Sequence, residues 1–105
     1  MINSRTKGKV GELELAHYLT ECGFPSRRGQ QFKGGAGSPD VLAQGLEDFH
    51  IECKRVEKGT VYEWLSQAKA EAGGKIPVVM HRRSRKEWVA ILPLDKFLLL
   101  VRENF

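Results

Sequence analysis

The chain has 105 residues, 41% of them hydrophobic and 29% charged, and carries a net charge of +4. That length suits one domain, residues 1–105, with a modest core that pairing of two copies would enlarge. No apolar run nears the roughly 20 residues that span a bilayer, and no apolar block follows Met1-Ile2-Asn3-Ser4-Arg5 as a secretory signal would, so membrane and export roles are set aside. Cys22 and Cys53 are expected as free thiols in a reducing compartment, the cytoplasm.

Ser4 is suited to cap a first helix over residues 4–22. Val10, Leu13, Ala16, Leu19 and Thr20 recur at helical spacing, with Leu15 and Tyr18 widening the stripe, which makes this the predicted buried side. Gly23 fits the position that closes such a helix, and Phe24-Pro25 restarts the chain in extended form. An edge strand carrying Arg27 and Arg28 falls within residues 24–32, and Gly34-Gly35-Ala36-Gly37-Ser38 reads as a loop. Residues 40–43 and 49–54 are predicted strands joined by the turn-like Gln44-Gly45-Leu46-Glu47-Asp48. Thr60 opens a second helix to about residue 72, with Val61, Trp64, Leu65, Ala68 and Ala72 on its buried side and Gly73-Gly74 as its stop. Residues 76–81 and 88–92 are apolar runs, and the basic stretch 82–87 links them as a hairpin. Pro93 precedes a last helix over about 94–102, with Asp95 in its first turn. The order implies an α/β fold, a mixed sheet with helices packed on it.

Strand side chains alternate between faces. Over residues 49–54 this puts Phe49, Ile51 and Cys53 on one side and His50, Glu52 and Lys54 on the other. Asp40 begins the neighbouring strand, so Asp40, Glu52 and Lys54 can converge. Two carboxylates suit a hard divalent cation, and an ammonium beside them suits the attacking water or a phosphate's charge. Each residue has a plainer role available: Asp40 as a turn residue after Pro39, Glu52 as an exposed strand acid paired with a lysine. Their joint placement favours metal-assisted cleavage of a phosphodiester.

Glu12 shares a helix face with Gly8, Ala16 and Leu19, where a carboxylate needs a metal, a lysine or an opening to water. Gln67, near Trp64 and Ala68, can satisfy a backbone group or bond a catalytic carboxylate or a phosphate. His17, His50 and His81 lack zinc-type spacing, although His50 shares the Glu52 face and could touch substrate. Basic residues cluster at Arg5, Lys7 and Lys9, at Arg27, Arg28 and Lys33, at Lys54, Arg55 and Lys58, and at Arg82, Arg83, Arg85 and Lys86. Four such clusters around one carboxylate site point to a nucleic-acid partner.

Pro39-Asp40 followed by Glu52-Cys53-Lys54 resembles the signature of the PD-(D/E)xK nuclease superfamily. Over residues 7–67, with Lys7-Gly8, Glu12, Gly23-Phe24, Arg28 and the glycine loop, the chain is similar to archaeal-type Holliday junction resolvases and small VRR-Nuc proteins. Cys53 departs from the VRR-Nuc pattern, which has a bulkier hydrophobe there, and no family motif follows residue 76. The resemblance implies a restriction-endonuclease-like αβββαβ core plus a C-terminal helix, Mg²⁺ or Mn²⁺ as cofactor, DNA as partner and a homodimer. It implies that Glu12, Asp40, Glu52 and the Cys53 backbone carbonyl hold the metal, and that Lys54 and Gln67 join them in catalysis. Arg5, Lys7, Arg27, Arg28, Lys33, Ser38, Arg55, Arg82, Arg83 and Arg85 are the expected DNA contacts. The function so implied is a metal-dependent endonuclease for four-way or other branched DNA, of phage or mobile-element type, working beside the nucleoid. The alternatives are an inactive nuclease-fold DNA-binding module and a nuclease for flap or duplex DNA.

Overall fold

A computed structural model describes residues 4–29 and 38–104, with residues 4–7 described by their backbone alone. Lys33 and the expected glycine loop at 34–37 lie outside the described residues, as do the side chains of Arg5 and Lys7. The elements run α1 (Ser4–Glu21), β1 (Ser26–Arg28), β2 (Val41–Ala43), β3 (Phe49–Arg55), α2 (Val61–Glu71), β4 (Ile76–Arg82), β5 (Val89–Ile91) and α3 (Leu94–Asn104). Their order follows the expected αβββαβ core, with the predicted hairpin and the last helix after it. One five-stranded sheet is ordered β1-β2-β3-β4-β5, parallel between β3 and β4 and antiparallel elsewhere. A parallel neighbour needs a crossover, and α2 supplies it.

Helix α1 stops where the sequence says it should. Gly23 takes φ +100°, and the Phe24 amide donates to the Leu19 carbonyl at 2.9 Å, closing the last turn. The Thr20 hydroxyl then donates to the Ala16 carbonyl at 2.8 Å and accepts from the Ser26 amide at 3.0 Å, which ties the helix end to β1.

The buried side of α1 is rotated from the predicted one. Leu15, Ala16 and Leu19 are buried, whereas Val10, Leu13, Tyr18 and Thr20 are exposed, Val10 to 57%. Gly11 accounts for the rotation, since a Cβ there would lie 2.6 Å from the Arg55 Cβ. The helix therefore lays the line Gly11, Leu15, Leu19 on the sheet, spaced four residues apart. On α2, Ala68 is buried and Trp64 and Leu65 half-buried, and Ala72 is buried just past its end, but Val61, expected inside, is exposed.

Helices α1 and α2 take opposite faces of the sheet. Leu15, Ala16 and Leu19 form the main core with Val41, Ala43, Ile51 and Val78. On the other face α2 covers the parallel pair, where register sets Val79 beside Glu52 and His81 beside Lys54. Trp64 of α2 stacks on His81 with ring centroids 4.7 Å apart.

Candidate active site

Strand directions gather the polar groups at one end of the sheet. Arg28 pairs with Val41 and Val41 with Ile51, while Lys54 and Arg55 lie beside His81 and Arg82. The last residue of β1, the residue before β2, and the last residues of β3 and β4 thus share an end. Continuing the antiparallel register by one residue sets Asp40 opposite Glu52, and opposite residues share a face.

Asp40 is held from three sides. Its amide donates to the Ile51 carbonyl at 2.9 Å, its carbonyl accepts from the Gly29 amide at 2.9 Å, and its Oδ2 accepts from the Cys53 amide at 2.8 Å. Gly29 is buried, and a Cβ on it would collide with the Pro39 carbonyl, so the turn into Asp40 depends on a glycine there.

Glu52 is 2% exposed and hydrogen-bonded to His50, with Oε1 and Nε2 2.8 Å apart. Burial first, then hydrogen bonding to Glu71 and the charge of Asp40, push its carboxyl up to about 9. Burial lowers the His50 imidazole despite the carboxylates of Glu71 and Asp40, so the ring is neutral at neutral pH. Ligating atoms of His50, Glu52 and Glu71 all lie within 4.8 Å of one another. The acids gathered at this end are therefore Asp40, Glu52 and Glu71, and burial keeps the proton on Glu52.

Lys54, on the same strand face, donates from Nζ to Gln67 Oε1 at 3.2 Å. Gln67, expected to satisfy a backbone group or to bond a carboxylate or a phosphate, thus meets the Lys54 ammonium instead. Glu12 comes from the opposite helix. Its Oε1 accepts from Arg28 Nε at 2.9 Å. Burial, and after it the Asp40 charge, raises its carboxyl against the Arg28 hydrogen bond. Cys53 is half-buried, and burial with the acids Asp40, Glu12 and Glu14 pushes its thiol far up, which keeps it neutral.

A family model described as "Phage putative PDDEXK endonuclease" matches residues 3–104. The chain belongs to this phage endonuclease family. Its fold is also that of a solved relative, Hjc of Archaeoglobus fulgidus, a Holliday junction resolvase from an archaeal hyperthermophile. The two agree with a TM-score of 0.57 at 24% identity, over 82% of this chain and 72% of that one. No curated protein matches the chain. Asp40, Glu52 and Lys54, the residues expected to carry the PD-(D/E)xK signature, fall on one face of the sheet, with Cys53 between them facing the other way.

Several arginines expected to hold DNA already have carboxylate partners. Arg28 pairs with Glu12. Arg55 Nε meets Glu14 Oε2 at 2.6 Å, and Arg82 Nη1 meets Glu14 Oε1 at 2.9 Å. Glu57 adds a second carboxylate to Arg55 at 3.2 Å. Arg27, Arg83 and Arg85 are exposed, the last two in the β4–β5 turn where Arg85 takes φ +67°, and Ser38 is half-buried.

Glu71 escaped the sequence reading although a signal was there. It lies four residues after Gln67, one turn further along the same face of α2. His50 was placed on the right strand face, but its contact with Glu52 was not foreseen.

The donor set fits a hard divalent ion. Carboxylate oxygens are its preferred ligands, and a buried acid that must hold a proton beside two other acids is relieved when a cation takes the proton's place. Asp40 lies close enough to Glu52 for its charge to help raise the Glu52 carboxyl, and His50 and Glu71 offer further ligand atoms beside Glu52.

Proposed function

We propose that the chain is a divalent-metal-dependent endodeoxyribonuclease that prefers four-way or otherwise branched DNA and works as a homodimer in the cytoplasm. The observation that carries this reading is the meeting of Asp40 and buried Glu52 next to the Lys54–Gln67 pair. In it, Asp40, Glu52, Glu12 and the Cys53 carbonyl hold Mg²⁺ or Mn²⁺. Such an ion lowers the pKa of bound water and offsets charge on a scissile phosphate.

The chain's own groups have separate tasks. The Cys53 amide fixes the Asp40 carboxylate in place, and His50 orients Glu52. Gln67 steadies the Lys54 ammonium toward the phosphate, whose negative charge grows in the transition state. Arg27, Arg83, Arg85 and Ser38, with Arg5, Lys7 and Lys33, meet phosphates further out. Arg28, Arg55 and Arg82 contribute there only by exchanging their present carboxylates for DNA.

A preference for branched DNA is supported by the likeness to the Archaeoglobus fulgidus resolvase in fold and by symmetry. A two-fold dimer presents two sites to a two-fold junction, one for each strand cut. Kinship with small VRR-Nuc proteins rests on the motif residues alone, Glu52, Lys54 and then Gln67.

Cleavage of labelled four-way junction, flap and linear duplex, each with Mg²⁺, Mn²⁺ or EDTA, tests the reading. Paired nicks near the junction crossover that need metal and vanish in Asp40→Asn are expected. Equal cutting of flap or duplex transfers the chain to those substrates. DNA binding with no cleavage in either metal makes it a binding module.

A further inference from the structure

None of the residues of helix α3 is buried. Leu94, Phe97, Leu98 and Val101 stand at the i, i+3, i+4, i+7 spacing of one helix face, and they are 69%, 49%, 51% and 38% exposed. Lys96 and Leu100, on the other side of the helix, are the half-buried positions. The apolar stripe thus points away from the body of the protein. Monomers seldom leave a continuous apolar surface of this kind uncovered.

We infer that this stripe is covered by the same stripe of a second copy, the two α3 helices lying antiparallel about a two-fold axis near Leu98 and Leu99. The charges on α3 select that occupant. Asp95 and Arg102 are seven residues apart, on one flank of the stripe. In an antiparallel pair related by a two-fold axis, equivalent flanks meet. Asp95 of each helix then faces Arg102 of the other, at both ends of the contact. Antiparallel packing also sets each helix's N-terminal dipole end by the C-terminal end of its mate.

One helix of 11 residues per copy covers less than the roughly 800 Å² per partner of a standard interface. The pair is therefore expected to be weak, with a dissociation constant of roughly 1–100 μM. This assignment rests on the dimer proposed above and gives it a surface. A native chain that stays monomeric removes the dimer itself, whereas a dimer unmoved by substitutions in the stripe removes only the surface, and neither result bears on cleavage.

Sedimentation equilibrium of the full chain, spanning that concentration range, is the measurement. A monomer–dimer equilibrium is expected for the native chain, and a monomer for Phe97→Glu or Leu94→Glu. Both substitutions are at exposed positions, and an unchanged thermal melt of dilute protein shows that each variant is folded. Asp95→Arg alone and Arg102→Asp alone set like charges opposite each other and should weaken association about tenfold; the double swap should restore it. Recovery could not come from a sturdier helix, because the double swap opposes the helix dipole at both ends. A native chain that stays monomeric, a dimer unmoved by Phe97→Glu and Leu94→Glu, or a double swap no better than the single ones would overturn the inference.

Discussion

Glu52 is an acid whose surroundings keep a proton on it. Its carboxyl ionises at about 9 in the folded chain, against 4.5 as the ordinary value. Between those two pH values the folded state binds more protons than the unfolded one, so the stability of the metal-free protein falls as pH rises through that window. Glutamine keeps the shape and cannot ionise. Glu52→Gln is therefore expected to raise the metal-free melting temperature at about pH 8 by several degrees and to flatten the slope above about pH 5. The same change should abolish cleavage. Thermal melts in EDTA at a series of pH values check the first part, and a variant as pH-sensitive as the native chain would show that the proton sits elsewhere. At Lys54 the expected loss is confined to chemistry. Removing one charged donor aimed at a developing anion slows reaction by about 10²–10³. Lys54→Ala should lose that much in single-turnover cleavage with DNA affinity nearly unchanged, and Gln67→Ala, which only unfastens the ammonium, should lose less. Loss of affinity in step with rate would instead make Lys54 a binding residue.

Among the elements, α1 decides how closely the acid-bearing end of the sheet is braced. Two of its glycines should respond oppositely to the same substitution. At Gly8 a Cβ meets nothing within 4 Å, and at Gly11 it meets the Arg55 Cβ, an atom fixed to the strand backbone. Gly8→Ala is expected to stabilise by about 0.5–1 kcal/mol through helix propensity. Gly11→Ala is expected to destabilise by about 1–3 kcal/mol through overpacking. Urea denaturation of both variants measures the contrast, and two changes of the same sign would mean that α1 does not approach β3 as closely as described. This glycine is also where pattern reading reached its limit. A search for apolar side chains passes over a position whose role is to have none, so Val10 and Leu13 were assigned to a core that Gly11, Leu15 and Leu19 face. Strand alternation, by contrast, sufficed to put Glu52 and Lys54 on one face, and adding Asp40 needed only that the two neighbouring strands pair. The arginines show the opposite case. Arg55 and Arg82 find Glu14 across 41 and 68 residues of chain, and no local spacing announces such partners. Glu71 sits between these cases, since its one-turn offset from Gln67 was visible but its depth beside Glu52 followed only from how α2 lies on the sheet.

At the scale of the whole molecule, a net charge of +4 gives weak attraction for any polyanion, and what matters is which positive charges remain available. Arg82 is engaged by Glu14 and by the Lys86 carbonyl, its Nε donating to that oxygen at 2.6 Å. Arg83 and Arg85 stand exposed one to three residues further on, past the end of β4 that lies beside Lys54 and Arg55. Each phosphate neutralised by a free cation releases counterions, and it steepens the logarithmic salt dependence of duplex DNA binding by about 0.9. Arg83→Ala combined with Arg85→Ala should therefore flatten that slope by about 2, weakening binding on every DNA sequence alike. Arg82→Ala should act differently. It releases Glu14 from one of its two arginines, so it should lower the melting temperature while leaving the slope nearly unchanged. Fluorescence anisotropy of a labelled four-way junction from low to moderate salt, run without divalent metal so that no strand is cut, separates the two. A slope that Arg82→Ala alters as much as the double variant would mean that DNA draws Arg82 away from Glu14. An unchanged slope in the double variant would place the phosphate-binding surface on another part of the molecule.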